Sequence, residues 1–111
     1  MLYIHIPFCK QRCIYCDFYS TTLSPEFTHS YVEAVENEIN DRHLELPSHT
    51  LSSVYIGGGT PSLLPIDAIH KLFTAIRSRF VLAHDAEITF EVNPDDVNFQ
   101  LIKVLKSEGV N

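Results

Sequence analysis

Three cysteines near the start of the chain are the residues whose spacing most directly points to chemistry. Cys9, Cys13 and Cys16 form a C-x3-C-x2-C run. Iron–sulfur clusters are held by cysteine thiolates, and a [4Fe-4S] cubane with three protein ligands leaves one iron open for a substrate. An odd number of closely spaced cysteines is not typical of a secreted disulfide framework. The spacing therefore favours a [4Fe-4S] cluster.

Two other interpretations of these cysteines remain open at this point. One is a structural zinc site completed by His5 or another histidine, and the other is a set of three free thiols. Structural zinc sites usually combine a C-x2-4-C pair with a second, distant pair of ligands, and the sequence has no such second pair. His5 lies inside an apolar run four residues before Cys9. We expect it to be a buried, hydrogen-bonded structural histidine.

A glycine run and one glutamate are the other candidates for a site. Gly57, Gly58 and Gly59 are followed by Thr60 and Pro61. Glycine can adopt positive φ and lets the backbone approach a ligand closely, because it has no Cβ. A plain turn or a phosphate-binding loop has a similar composition, so the run alone is a weak signal.

Glu91 lies near the end of a strand-like run in which Ile88 and Phe90 alternate with polar residues. Taken alone, it is typical of the exposed face of an edge strand.

Strand-like and helix-like segments alternate along the chain. The apolar pattern predicts strands at residues 2–6, 53–56 and 87–92, with the glycine run ending the second one. It predicts a first helix with Ser24 as the N-cap and Pro25 at its first position. A second helix follows Pro65, and a third ends at Gly109. The predicted apolar faces are Phe27, Tyr31, Val35 and Ile39 in the first helix, Ile66, Ile69, Leu72, Phe73, Ile76 and Phe80 in the second, and Leu101, Ile102, Val104 and Leu105 in the third.

Helical connections between strands predict a parallel sheet; the alternative is an α+β domain with antiparallel strands. In a parallel sheet the cysteine loop, the glycine run and Glu91 would all follow the carboxyl ends of successive strands, where α/β barrels build their sites. Val110 and Asn111 resemble the start of a fourth strand. We therefore expect a partial (β/α) barrel of about three βα units, truncated before barrel closure.

Composition and charge limit the partners and the location. The 111 residues are 45% hydrophobic and carry a formal net charge of −6, with eight Lys and Arg residues. The basic residues are scattered from Lys10 to Lys106, which argues against nucleic acid or an anionic membrane, since both require a clustered basic face. The first eight residues lack the pattern of a signal peptide, and no stretch is long enough to span a bilayer. We expect a cytoplasmic protein.

The motifs together resemble the radical S-adenosylmethionine (SAM) superfamily. More narrowly, the chain is similar to the group that comprises oxygen-independent coproporphyrinogen III oxidase and the related haem chaperone. The resemblance extends from one end of the chain to the other, in order, and rests on four segments: Tyr3-Ile-His-Ile-Pro-Phe-Cys9 with Cys13 and Cys16, Gly57-Gly-Gly-Thr-Pro61, Glu91-Val-Asn-Pro94, and Gly109-Val-Asn111. It implies that residues 1–111 are the N-terminal part of a radical SAM core domain.

The resemblance also implies the cofactors and the residues that hold them. Cys9, Cys13 and Cys16 would ligate three irons, and SAM would chelate the fourth through its amino and carboxylate groups. An electron from the cluster would then cleave SAM into methionine and a 5′-deoxyadenosyl radical. The residues at the family's SAM-contacting positions are Tyr3, Tyr15, Gly58, Gly59, Thr60 and Glu91.

One residue departs from the oxidase pattern. The oxidase has a further cysteine two residues after its third ligand, where this chain has Phe18. The resemblance therefore favours the haem-chaperone branch, in which haem is bound for delivery to haem-dependent membrane enzymes and an electron donor reduces the cluster. Three alternatives remain: the oxidase, acting on a porphyrinogen; a zinc-binding structural module; and a fragment without independent activity.

Overall fold

The computed structural model describes residues 1–10, 21–22 and 25–111, and side chains from residue 27 onward as well as in the first ten positions. Its main sheet has three strands in the order β1-β4-β5, namely Leu2–Ile6, Thr50–Gly58 and Val81–Phe90. Both pairs are parallel. The α/β class and the parallel strands are thus confirmed, and the antiparallel alternative is wrong. In the described part of the chain the sheet is open.

A second, small pair of strands closes the base of the cysteine loop. Strand β2 is Phe8–Cys9 and strand β3 is Thr21–Thr22, and the two are parallel, with Cys9 opposite Thr22. Cys13, Tyr15, Cys16 and Phe18 lie between them, outside the described residues.

Three helices follow the strands: α1 at Pro25–Arg42, α2 at Ile66–Arg79 and α3 at Phe99–Ser107. They bury one face of the sheet, where the strands present Ile4, Ile6, Val54, Ile56, Ile88 and Phe90. Apolar area removed from water is the main source of stability here, at about 25 cal/mol per Å². No helix in the part of the chain that the structure describes has the length and apolarity to cross a membrane.

The opposite face of the sheet is polar and aromatic. The register places Tyr3 beside Tyr55 and Tyr55 beside Thr89, while His5 lies beside Gly57. Successive side chains of a strand point to opposite faces, so these residues alternate with the buried aliphatic ones. The helices therefore fix which side chains face the site, because they cover only the apolar side.

Two strands extend beyond their predicted limits. β4 begins at Thr50 and continues through Gly58, so two of the three glycines belong to the strand and do not end it. β5 begins at Val81, well before residue 87, and ends at Phe90. Its early part pairs with Thr50 and Leu51 before the register shifts. His84 and Asp85 conceal this part in the sequence, because these polar residues interrupt the apolar pattern.

The first helix is rotated relative to the predicted face. Phe27 was expected to be buried and is 63% exposed. Ile39 is buried as predicted, and Tyr31 and Val35 are half-buried, whereas Thr28 and Val32, which lie outside the predicted series, are fully buried. Residues four apart in an α-helix are displaced by about 40° around its axis, so three such steps separate Phe27 from the buried Ile39 by about 120°. Ser24, the predicted N-cap, lies outside the described residues.

The second helix buries its predicted stripe, with Ile69, Leu72, Phe73 and Ile76 inaccessible to solvent or nearly so. The third helix begins with a cap that the sequence analysis did not identify: the Asn98 side chain accepts a hydrogen bond from the Leu101 N–H at 2.9 Å. It buries Leu101 and Leu105, whereas Ile102 is 40% exposed.

Gly109 ends this segment as predicted, with a φ of 84° that favours glycine. The backbone N–H of Asn111 then donates to the Ile88 carbonyl at 3.1 Å. The two residues assigned to the start of a fourth strand thus lie against the edge of β5.

A buried carboxylate joins α2 to the end of α3. Glu108 is 7% exposed, and its side chain accepts hydrogen bonds from Arg77 and from the His70 ring. The Arg77 guanidinium also donates to the Glu108 carbonyl at 2.5 Å. Burial alone would raise the pKa of the Glu108 carboxyl, but the hydrogen bonds from Arg77 and His70 outweigh burial and lower that pKa.

This arrangement predicts a pH-dependent contribution to stability. Since the folded pKa of Glu108 is depressed, its contribution is complete above the unfolded value of about 4.3 and is lost as the pH falls through the folded pKa. We expect Glu108→Gln to lower the free energy of unfolding at pH 7 by about 2 kcal/mol, because charge-assisted hydrogen bonds are lost. Urea unfolding of the variant and the unmodified protein, at pH 7 and at pH 3, measures this difference in the free energy of unfolding.

The exposed Asp41 supplies the matched control, since Asp41→Asn should leave the free energy of unfolding nearly unchanged at both pH values. A Glu108→Gln deficit that is as large at pH 3 as at pH 7 would contradict the pH linkage.

Candidate functional site

The three parallel strands of the main sheet bring the candidate residues to one edge. β1 ends at Ile6 and leads through Pro7 to Cys9, β4 ends at Gly58, and β5 ends just before Glu91. The carboxyl ends of parallel strands meet at the same edge, which is where such sheets build their sites. The structure therefore brings Cys9, the glycine run and Glu91 together, as the sequence predicts.

Cys9 is the one predicted cluster ligand within the described residues. It is 9% exposed. Its position in β2, opposite Thr22, fixes where the cysteine loop leaves and returns to the body of the protein. Cys13, Cys16 and Tyr15 belong to that loop and lie outside the described residues. Among the residues that the structure does describe, no three His, Cys, Asp or Glu side chains form a group able to hold a metal ion.

The glycine run packs directly against the strand that carries Cys9. The Gly59 N–H donates to the Ile6 carbonyl at 2.7 Å, and the Thr60 N–H donates to the Phe8 carbonyl at 2.6 Å. A Cβ on Gly59 would lie 2.5 Å from the Phe8 carbonyl oxygen and 2.8 Å from the Cys9 Sγ. Only glycine fits at this position, because such distances are far inside van der Waals contact.

Glu91 is held by two donors at the mouth of the sheet. Its Oε1 accepts from the Tyr55 hydroxyl at 2.5 Å, and its Oε2 accepts from the Gly58 N–H at 3.0 Å. Gly58 has a φ of 118°, a backbone conformation that residues other than glycine rarely adopt. The hydrogen bond to Glu91 also raises the pKa of the Tyr55 phenol. The Glu91 carboxylate is thus held in one orientation by the protein, which would not be the case for a glutamate on the exposed face of an edge strand.

Tyr3 packs against Tyr55, the residue that donates to the Glu91 carboxylate. Its ring centroid lies 5.9 Å from that of Tyr55, and Tyr55 donates to Glu91. The Tyr3 hydroxyl also lies 3.0 Å from the His5 Nδ1. His5 is hydrogen-bonded, as expected, but it is only partly buried. Its ring lies where a Cβ on Gly58 would be.

Tyr55 is a site residue that sequence reasoning missed. It lies two residues before Gly57, so both positions lie on the same face of β4. That alternation, combined with the pairing of β4 and β5, was the signal that could have placed it beside Glu91.

A cleft at this edge brings three of the predicted residues into one surface. It has a volume of about 430 Å³, and its walls are Gly59, Thr60 and Pro61 on one side and Glu91, Val92, Asn93 and Pro94 on the other. Gly58 precedes the cleft residues and does not line the cleft, and Tyr3 lines a different groove.

A groove of about 370 Å³ lies elsewhere, between β1 and α1. Tyr31 donates from its hydroxyl to the His5 carbonyl there, and burial raises the pKa of the Tyr31 phenol. The groove contains none of the cysteine, glycine or Glu91 positions, so the cleft is the candidate site.

Comparisons with known proteins agree with this geometry. The chain matches the radical SAM superfamily over residues 3–111. It is 42% identical over 111 residues to the heme chaperone HemW of Escherichia coli K12, which covers 99% of this chain and 29% of that protein. It is 40% identical over 116 residues to the heme chaperone HemW of Synechocystis sp. PCC 6803, covering 98% of this chain and 27% of that protein.

Among solved structures, coproporphyrinogen III oxidase (HemN) from Escherichia coli, described as a radical SAM enzyme, matches with a TM-score of 0.90 and 33% identity. The match covers 99% of this chain and 26% of that one. The chain therefore spans less than a third of the length of these relatives. The match over residues 3–111, on a parallel sheet with the motifs at its carboxyl edge, shows that this chain belongs to the radical SAM superfamily.

Proposed function

We propose that residues 1–111 are the N-terminal part of a radical SAM core domain, and that the protein binds a [4Fe-4S] cluster and SAM as a haem chaperone-type member of its group. The observation that carries the proposal is the close approach of Gly59 to Cys9, since a Cβ on this glycine would lie 2.8 Å from the Cys9 Sγ. It brings the glycine run against the first of three cysteines whose spacing suits a cubane with one open iron.

The described residues fit such a cluster and its ligand. Cys9 offers a largely buried thiol at the edge of the cleft, and the other two ligands would be Cys13 and Cys16. The N–H groups of Gly58, Gly59 and Thr60 are donated within the protein. A hydrogen bond between this segment and a ligand would therefore use the backbone carbonyl oxygens as acceptors, which suit the N–H donors of the SAM amino group.

Each remaining residue has a role that its contacts support. Glu91, oriented by Tyr55 and Gly58, would accept hydrogen bonds from SAM, and Tyr3 would pack beside it from the polar face of the sheet. Thr60 and Tyr15 would complete the contacts. When bound, the cluster and SAM supply reductive cleavage and radical chemistry, while the protein's part is binding, orientation and exclusion of water.

The haem-handling role rests on relatives and on one sequence position. The relatives described above carry the name heme chaperone, and Phe18 stands where the oxidase pattern has a further cysteine. We propose haem as cargo, an electron donor as a partner, transient contact with haem-receiving membrane enzymes, and no nucleic-acid partner. A thiolate-bound cluster also suits a reducing compartment, which supports a cytoplasmic location.

A second candidate function is oxygen-independent coproporphyrinogen III oxidation, favoured by the structural likeness to HemN. Anaerobic reconstitution followed by haem titration and a coproporphyrinogen assay separates the two. We expect a haem-dependent Soret band and no decarboxylated porphyrinogen. Decarboxylated product without stable haem binding would assign the oxidase instead.

Removing one thiolate should abolish the cluster. Cys13→Ser leaves two cysteine ligands, so iron and acid-labile sulfide should fall several-fold from four of each per chain in the intact cubane. Iron, sulfide and zinc analysis after anaerobic reconstitution measures this. Gln11→Ala, in the same loop and without a thiol, is the control. Full iron in Cys13→Ser would refute the ligand assignment, and stoichiometric zinc without sulfide in the unmodified protein would favour the zinc module.

Gly59→Ala should disturb the cluster by local crowding. The new methyl group would press on the Phe8 carbonyl and on Cys9, so we expect reconstituted iron to fall by more than half, with a lower melting temperature.

Gly109→Ala is the matched control for Gly59→Ala. At Gly109 a Cβ would meet only Ile88, at 3.6 Å, while the φ of 84° makes alanine strained. That strain should cost roughly 1 kcal/mol of folding stability without loss of iron. Equal iron loss in both variants would show that general destabilisation, and not contact with Cys9, is responsible.

A further inference from the structure

The carboxylate of a partly buried residue beyond the predicted site connects three loops at the carboxyl edge of the sheet. Asp96 lies in the short 3₁₀ turn Pro94–Asp96 that follows β5. It accepts from the Lys10 Nζ at 2.5 Å and from the Ser62 Oγ at 2.8 Å. The Ser62 Oγ in turn accepts from the Asn93 N–H at 3.1 Å.

Each partner belongs to a different part of the site. Lys10 immediately follows Cys9 and begins the cysteine loop. Ser62 follows Pro61 on one wall of the cleft, and Asn93 lies on the opposite wall. The hydrogen bonds from Ser62 and Asn93 therefore join the two walls, and the Lys10–Asp96 ion pair ties the beginning of the cysteine loop to the same point.

The Asp96 carboxylate is the less exposed partner of the ion pair with Lys10. Its side chain is 9% exposed, whereas that of Lys10 is 60% exposed. The hydrogen bond from Lys10 is the main cause that lowers the pKa of Asp96. Asp96 is accordingly ionised at neutral pH, and charge-assisted hydrogen bonds are the strong ones.

A merely exposed ion pair would contribute little, but this pair shares its acceptor with Ser62. Lys10 and Asp96 are 86 positions apart in sequence, and Ser62 is 34 positions from Asp96. Local chain geometry therefore does not impose the contacts, so they constrain how the three loops sit relative to one another.

We propose that Asp96 is a positioning residue that, through Lys10 and Ser62, holds the start of the cysteine loop and the two walls of the cleft at the separation at which SAM binds. This inference rests on the proposed function. Asp96 acts on neighbouring loops and does not itself touch the cofactor.

The test uses the anaerobically reconstituted protein and four variants. Asp96→Asn keeps the shape but removes the charge, and Asp95→Asn makes the same change at the exposed neighbouring position. Lys10→Met removes the ion pair, and Lys10→Arg restores a cation. Iron content, melting temperature, the Kd for SAM and the SAM-induced change in the electron paramagnetic resonance spectrum of the reduced cluster are measured for each.

We expect Asp96→Asn and Lys10→Met to weaken SAM binding about tenfold, the factor that corresponds to one lost charge-assisted hydrogen bond, with a diminished spectral change. Iron content should stay near that of the unmodified protein. Asp95→Asn and Lys10→Arg should stay within about twofold in Kd.

Three outcomes count against the inference, and they differ from one another. Unchanged SAM affinity in both Asp96→Asn and Lys10→Met overturns the positioning role. A loss of affinity that follows melting temperature across all four variants, Asp95→Asn included, assigns the effect to general stability. If the unmodified protein holds its cluster but binds no SAM, the proposed function fails and this inference fails with it. Should Asp96→Asn not fold, the comparison of Lys10→Met with Lys10→Arg decides the matter alone.

Discussion

The close approach of Gly59 to the strand carrying Cys9 is the contact on which the site depends. Two short hydrogen bonds, to the carbonyls of Ile6 and Phe8, hold the backbone of the glycine run there. The absence of a Cβ leaves the thiol within reach of that backbone. Any larger residue would separate the end of β4 from β2. Strand β2, which carries Cys9, and the glycine run at the end of β4 thus hold each other in position.

The two faces of the sheet have different roles: one is packed against the helices, and the other carries the polar residues of the site. Its aliphatic face is buried by three helices. Its other face carries Tyr3, Tyr55 and Glu91, which contact each other in sequence across neighbouring strands. Since both faces belong to the same strands, a shift by one residue would exchange them. Burial of the aliphatic face therefore determines on which face the polar residues lie.

Much of this arrangement follows from the sequence, and the exceptions have physical causes. Helical segments between apolar runs require parallel strands, so the meeting of Cys9, the glycine run and Glu91 at one edge was predictable. The hydrogen bond from Tyr55 to Glu91 was not, because it depends on the register of β4 against β5. The early start of β5 was hidden by His84 and Asp85. Phe27 was misplaced because steps of four drift around a helix. The Lys10–Asp96 contact joins residues that no local pattern connects.

Side chains occupy part of both edges of the sheet in the described part of the chain. On β1 the Tyr31 hydroxyl occupies the His5 carbonyl, which points away from β4. On β5 the Asn111 carboxamide accepts from the Ile88 N–H at 2.9 Å and donates to the Ala86 carbonyl at 3.0 Å, imitating a peptide group of an adjoining strand. Unpaired strand edges invite pairing with other chains. At these two edges of the described sheet, another strand could pair only after displacing the Tyr31 and Asn111 side chains.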